Sequence, residues 1–396
     1  MVQEKYLMDN YEYQNITKIL FGKDQQKKVG KEIKPYSNKV LFIYGGGSIK
    51  RNGLYDDVCD SLRENSIDWI EFSGVRSQPT VQQVYEGINL CRSEDVRFVL
   101  GVGGGSAVDF AKAVALGVPY DGDVWDFFSG QTKAKTALPV GCILTTPATG
   151  TESSRNAVIS NTETKQKMGL TESWIRPAFA ILNPEYCLTL PMKNVAYATA
   201  DMMSHIMERY FTNTIGTDVI DGFCESLLKT IMRNAVYYKS HPQDYHAMGE
   251  LVMAGNLRHN GLLSIGRETD WAGHGLEEVI SGCYPKIAHG AGLPVVTLAW
   301  MKYVYQKHLP IFVQFATNVM GVYIAPREPE KVAYQGIMEL ENFYKRMGLF
   351  TTMEEIGINP SEYAKLADQC IREHGGSLGK LEVLYEQDIV NIYRLA

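Results

Sequence analysis

The sequence predicts an α/β domain, a parallel sheet with flanking helices, followed by an all-α domain. Two observations carry this. Through the first half, short apolar runs close in small-residue turns and lead into amphipathic stretches, the strand–turn–helix rhythm of a parallel sheet covered by helices. From Pro191 onward nearly every segment has helical periodicity, and that rhythm does not return. The change of character places an α/β domain over 1–189 and a helical domain over 190–396, joined by the short, proline-bearing segment Asn183–Pro191.

The elements follow in order. Lys39–Tyr44 (KVLFIY) is a short apolar strand that ends in Gly45-Gly46-Gly47-Ser48. Tyr55–Asn65 is a helix with Val58 and Leu62 on one face. Asp68–Phe72 is a strand, and Val81–Ser93 a helix with Val81, Val84, Tyr85 and Ile88 on one face. Val96–Val102 is a strand ending in Gly103-Gly104-Gly105-Ser106, and Ala107–Leu116 continues as a helix. Val140–Thr145 and Phe179–Leu182 complete the strands of this layer. Helical periodicity then covers Val195–Phe211, Asp218–Tyr238, Tyr245–Leu263, Leu293–Tyr305, Ile311–Val322 and Pro329–Met347.

Composition narrows the function. Of 396 residues 45% are hydrophobic and 21% charged, the mix of a globular protein and not of a disordered chain. The net charge of −6 lacks the basic surplus of a dedicated nucleic-acid binder. The longest apolar run, Leu293–Met301, falls far short of the roughly 20 residues of a membrane span. Neither nucleic acid nor membrane is an expected partner. The seven cysteines are scattered with no C-x-x-C, which suits a reduced cytoplasm.

Each GGGS run closes a strand and opens a helix. Without Cβ atoms the backbone can approach a ligand, and free N–H groups at a helix N-terminus favour an anion. Ser48 and Ser106 add hydroxyls. Neither run is a G-x-G-x-x-G fingerprint, since position 106 is Ser, and no Gly-Lys-Ser/Thr follows either. The first turn has no acidic residue before Asp56 and carries Lys50 and Arg51. A carboxylate there would hold an adenosine 2′-hydroxyl and repel a 2′-phosphate. For a dinucleotide ligand, its lack favours NADP(H) over NAD(H). A third small-residue loop, Thr145-Thr146-Pro147-Ala148-Thr149-Gly150-Thr151-Glu152, offers hydroxyls after the strand 140–145.

Asp201 and His205 are i and i+4 in the helical ADMMSHIMERY, so they project from one face. That spacing suits two ligands of one metal. His274 and His289 lie among glycines and apolar residues instead of a charged surface pattern. One carboxylate and three imidazoles suit a divalent transition metal, Fe²⁺ or Zn²⁺.

These motifs have a family likeness. DNYEYQNITKILFGK, YGGGSIKRNGLYDDV, LGVGGGSAVDFAKA, PYDGDVWDFF, TTPATGTE, DMMSHIMERYFTN and DWAGHGLEE…IAHGAGLPV together span nearly the whole chain. With them the chain resembles the iron-containing, group III alcohol dehydrogenases, in particular the NADP(H)-dependent butanol dehydrogenase and aldehyde reductase branch. The resemblance implies a dehydroquinate-synthase-like architecture: an N-terminal dinucleotide-binding domain, a helical domain, and a metal in the cleft between them. It implies metal ligands at Asp201, His205, His274 and His289. It places the pyrophosphate loop on Gly103, Gly104, Gly105 and Ser106 with Asp109 on the next helix, nicotinamide-side hydroxyls on Thr145, Thr146 and Thr149, and a ribose contact on Lys167. The turn Gly45, Gly46, Gly47, Ser48 resembles the form that accepts a 2′-phosphate. A homodimer or larger homo-oligomer is implied as well.

Some positions depart from the family pattern. Where relatives often carry a second histidine one turn after His274, a candidate proton relay, this chain has Glu278. The step from His274 to His289 is one residue longer than usual, with Pro285 as the insertion. Gln78-Pro79-Thr80 replaces a common Asn-Pro-Thr, and Asn183-Pro184 an Asp-Pro. The expected reaction is hydride transfer between NADP(H) and a short-chain primary alcohol or aldehyde. The rivals are a dehydroquinate-synthase-like or polyol (glycerol-type) dehydrogenase reaction on the same fold, and a nucleotide- or metal-binding regulator without catalysis.

Overall fold

A computed structural model describes residues 7–147, 150–324 and 328–396. It divides into two compact units. One comprises Gln14–Thr189 with Gly255–Asn260, the other Met1–Tyr13, Leu190–Ala254 and Gly261–Ala396.

The first unit is an α/β layer structure. Its elements are β1 (Lys18–Phe21), α1 (Val29–Ile33), β2 (Lys39–Tyr44), α2 (Ser48–Arg51), α3 (Leu54–Glu64), β3 (Asp68–Phe72), α4 (Val81–Ser93), β4 (Phe98–Gly103), α5 (Gly105–Gly117), α6 (Trp125–Phe128), β5 (Val140–Leu144), β6 (Asn156–Asn161), β7 (Gln166–Thr171) and β8 (Phe179–Leu182). Six strands form one parallel sheet in the order β1-β8-β5-β4-β2-β3. The central strands read as unbroken apolar runs because both faces are covered. Val40, Phe42 and Tyr44 of β2 pack with α1 and α3 on one face, and Leu41 and Ile43 with α4 and α5 on the other. β6 and β7 form a separate antiparallel ribbon. Neither β1 nor this ribbon is among the strands expected from sequence. β6 and β7 alternate in burial and carry many polar residues, so no continuous apolar run marks them, and β1 is only the four residues KILF.

The sheet order fixes where a ligand belongs. The chain leaves β2 for β3 on one side, then returns past β2 to lay β4 on the other. β2 and β4 therefore flank a topological switch point, and open α/β sheets bind ligands at the carboxyl ends of such strands. Both GGGS runs lie at those two ends.

The second unit is helical. It contains α7 (Met192–Tyr210), α8 (Asp218–Ser240), most of α9 (Tyr245–Leu257), α10 (Ala272–Cys283), α11 (His289–Val304), α12 (Leu309–Asn318), α13 (Pro329–Met347), α14 (Tyr363–Glu373) and α15 (Glu386–Leu395). α11 is buried continuously from Gly290 to Met301, as befits a helix apolar all round. It packs on α7, α10, α13 and α15. No helix among the described residues is long and apolar enough to cross a membrane.

Candidate functional site

In the α/β unit the second glycine run forms the joint between β4 and α5. Gly103 has φ +147°, and a Cβ there would lie 3.2 Å from Ala107 Cβ. Glycine thus serves both the conformation and the close strand–helix packing. The first amides of α5 have no partner within the helix, which leaves donors at the switch point. Ser106 Oγ donates to the Ser77 carbonyl at 2.5 Å, so that hydroxyl braces the loop. Thr145 N–H donates to the Gly103 carbonyl at 2.9 Å. Thr146 Oγ1 is buried with no hydrogen-bond partner among the described residues, and a Cβ on Gly104 would come within 3.6 Å of it. Thr149 lies outside the described residues.

Asp109 is engaged within the fold, while Lys167 is exposed. Asp109 accepts from Thr151 Oγ1 at 2.5 Å and from Val158 N–H at 3.2 Å, so it holds the next loop. Lys167 is exposed on β7, opposite Ser160 of β6. A residue that sequence reasoning passed over completes this brace. Lys112 of α5 is fully buried and donates to the carbonyls of Thr151, Asn156 and Ser154 at 2.6, 2.7 and 3.0 Å. Burial pulls its pKa down to about 8, with Asp109 opposing.

The first glycine run opens with Gly45 and Gly46 and turns at Gly47, which has φ +87° and caps α2 at Ser48. Here the structure supplies a carboxylate that the reading of the turn missed. Glu71, near the end of β3, accepts from Tyr44 Oη and from Tyr55 Oη, each at 2.5 Å. Lys50 Nζ lies 3.6 Å from Glu71 and 4.4 Å from the Tyr55 ring centroid. Burial raises the Glu71 pKa, but the two phenols and Lys50 outweigh it and hold the carboxyl below its ordinary value. The signal was available: an acidic residue at the end of the strand after the glycine turn, about 20 residues on, is where a ribose-binding carboxylate is sought.

In the helical unit, Asp201 and His205 stand one turn apart on α7, and His274 on α10 comes to meet them. The ligand atoms of these three all lie within 4.8 Å of one another. From Asp201 Oδ1 it is 3.1 Å to His205 Nδ1, 3.5 Å to His274 Nε2 and 3.9 Å to His289 Nε2. His289 is the first residue of α11, and Pro285 falls in the preceding loop, which absorbs the extra residue. α10 begins where it does because Asp270 accepts from Ala272 N–H at 2.7 Å. Its other oxygen clamps the amides of Lys380 and Leu381 at 2.7 and 2.8 Å.

The imidazoles share one tautomer. His205 Nδ1 lies 2.9 Å from the Asp201 carbonyl oxygen, which can only accept. His274 Nδ1 lies 2.5 Å from Glu208 Oε2, and His289 Nδ1 contacts Glu277 Oε2. Each Nδ1 thus donates a hydrogen to its acceptor, which leaves Nε2 as the atom available to a metal. His274 Nε2 is buried with no hydrogen bond among the described residues, a defect that a metal bond would repair. Burial alone would lower the His274 pKa, yet Glu208 and Asp201 push it up to about 10, so the surroundings favour positive charge. These donors fit a divalent metal. Glu278 is exposed on α10, and its side chain makes no hydrogen bond to the four residues. The buried acid of that helix is its neighbour, Glu277.

Comparison with known proteins sets this geometry in a family. Residues 16–184 match the family model described as iron-containing alcohol dehydrogenase, and 195–396 its Fe-containing alcohol dehydrogenase C-terminal counterpart. The chain belongs to the iron-containing alcohol dehydrogenases. It is 39% identical over 388 residues to NADH-dependent butanol dehydrogenase A of Clostridium acetobutylicum, covering 98% of this chain and 99% of that one. It is 32% identical over 371 residues to an NADPH-dependent aldehyde reductase of Escherichia coli, covering 93% and 94%. The crystal structure of NADH-dependent butanol dehydrogenase A from Thermotoga maritima superposes with a TM-score of 0.92 at 40% identity, covering 99% of both chains. As an iron-containing alcohol dehydrogenase the chain is an oxidoreductase with the family's two-part fold. Relatives named for NADH and for NADPH both lie within reach.

Proposed function

We propose that this protein transfers hydride between NADP(H) and a short-chain primary alcohol or aldehyde, at a divalent metal held by Asp201, His205, His274 and His289. The observation that carries the reading is the presentation of the His274 and His289 Nε2 atoms toward Asp201, beside His205 on the same helix face. A metal held by such donors supplies Lewis acidity toward an alcohol or carbonyl oxygen. The chain's own work is positional. Asp201 and His205 are set by the pitch of α7, and His274 by the start of α10, whose first amide donates to Asp270. In the α/β unit the run Gly103, Gly104, Gly105, Ser106 offers amides to a pyrophosphate, and Thr146 offers an uncommitted hydroxyl.

The preference for NADP(H) rests on the first glycine turn. Lys50 is an exposed cation beside it, and the Glu71 charge is shared among Tyr44, Tyr55 and Lys50, which weakens its repulsion of a 2′-phosphate. Fe²⁺ and Zn²⁺ both suit the ligand set. The family resemblance supports a cytoplasmic homodimer or larger homo-oligomer.

The test is an absorbance assay at the nicotinamide band, with the protein reloaded with Fe²⁺ or Zn²⁺ and offered a panel of short aldehydes. NADPH should be consumed in step with aldehyde, and faster than NADH. Faster turnover with NADH would reverse the coenzyme assignment alone. A metal-loaded, coenzyme-saturable protein inert on the whole panel would overturn the dehydrogenase reading.

A further inference from the structure

Two carboxylates outside the four ligands hold the centre together. Glu208 follows Asp201 and His205 on the same stripe of α7, at i+7 and i+3. It reaches across to α10 and takes two hydrogens from one residue: the His274 backbone N–H at 2.7 Å and its Nδ1–H at 2.5 Å. Glu277 follows His274 by three residues on α10 and is fully buried. It reaches across to α11, where it contacts His289 Nδ1, and Ser281 Oγ donates to it at 3.3 Å. So α7 holds the histidine of α10, and α10 holds the histidine of α11.

Each carboxylate lies against a glycine. A Cβ on Gly273 would come 3.1 Å from Glu208 Oε1, and one on Gly292 would come 2.8 Å from Glu277 Oε1. Neither glycine has positive φ, so backbone conformation does not require them. The space they leave is occupied by the carboxylates. This gives a physical reason for one glycine near each histidine, whereas Gly275 and Gly290 make room for Leu378 and Tyr197.

We propose that Glu208 and Glu277 are positioning residues of the metal centre. Each fixes the Nδ1–H tautomer and ring orientation of one histidine in the neighbouring helix, and Gly273 and Gly292 provide the room in which they do so. This rests on the metal assignment made above. Partners of this kind generally change metal affinity by about 10–100-fold when removed.

The experiment measures Zn²⁺ affinity by competition with a chromophoric chelator, and the visible spectrum of the Co²⁺-loaded protein, for wild type, Glu208→Gln, Glu277→Gln, Glu277→Ala and Gly292→Ala. Circular dichroism checks folding. Zn²⁺ affinity should fall about 10–100-fold in Glu277→Ala and Gly292→Ala, with an altered Co²⁺ spectrum. It should fall less in the Gln variants, which keep an acceptor oxygen. A merely space-filling role would leave Glu277→Gln at wild-type affinity and spectrum. If Glu208→Gln does not fold, the Glu277 and Gly292 variants decide, because that pair holds a different histidine. Tight wild-type binding with every folded variant within threefold would overturn the inference and leave the metal centre standing. Wild type that binds neither Zn²⁺ nor Co²⁺ more tightly than His274→Ala would overturn the metal centre itself.

Discussion

The two candidate sites are made of different material. The dinucleotide loop is mostly backbone: glycines, helix amides and a Lys112–Asp109 brace that holds the next loop in place. The candidate metal centre is made of side chains, and two of its imidazoles are set by carboxylates on other helices, His274 by Glu208 of α7 and His289 by Glu277 of α10. A backbone site tolerates changes in the side chains around it as long as the loop keeps its path. A side-chain site fails one residue at a time. The contrast predicts where mutation acts on chemistry and where it acts on stability.

The largest effect belongs to the side-chain site. His274→Ala removes a buried donor and leaves Glu208 facing a void. Metal content should be lost, and turnover should fall by on the order of 10³-fold or more, the scale of a Lewis-acid contribution of several kcal/mol. Elemental analysis of the purified variant beside an NADPH oxidation assay checks both. Normal metal with normal turnover would remove His274 from the centre.

On the backbone side the expected loss is in stability. Lys112→Met strips donors from three carbonyls in a buried setting and should cost about 3 kcal/mol, measured by urea unfolding. The effect depends on pH. Burial holds the lysine at about 8 against 10.5 in an exposed chain. Between those values the unfolded chain binds more protons, so this group's contribution to stability grows as pH rises through that window. The gap between wild type and Lys112→Met should therefore widen from pH 8 toward 10. A gap that narrows would mean that the charged ammonium, and not its burial, dominates the site.

The same contrast explains what the sequence discloses. The strands β2, β4 and β5 and the glycine turns are local patterns, since covered faces and tight joints leave apolar runs and glycines in place. The pair Asp201 and His205 is equally local, one helix turn. Glu208 and Glu277 were missed because their partners lie 66 and 12 residues away, and a carboxylate inside a helix looks like any surface acid. Their one local trace was a glycine near each histidine, Gly273 beside His274 and Gly292 three residues after His289. Glu71 differs: its place at the end of β3 was a readable signal, and only its partners, Tyr44 on a neighbouring strand and Tyr55 on a helix, were not.

A smaller effect tests the coenzyme end. Lys50→Ala removes one exposed, solvent-screened cation from the first turn. NADPH kcat/KM should drop about fivefold while NADH kcat/KM holds, so the ratio of the two is the quantity to measure. An equal fall for both coenzymes would assign Lys50 to the fold of the turn and not to 2′-phosphate selection.

The smallest expected effect separates two adjacent acids on α10. Positions three and four residues after His274 are both its neighbours on a helix surface, so spacing alone does not choose between Glu277 and Glu278. Burial does. Glu277 has no exposed surface and faces His289, whereas Glu278 lies in solvent, where its charge is felt at Cys370 of α14. An exposed acid that touches none of the four metal-binding candidates gives up little on truncation, so Glu278→Ala should leave turnover within about threefold and the pH profile unmoved. The family position for a proton relay would then be vacant in this chain, with solvent carrying the proton. A tenfold loss together with a displaced pH profile would instead restore Glu278 as the relay. It would also mean that α10 brings both acids to bear on the reaction, one through His289 and one through water.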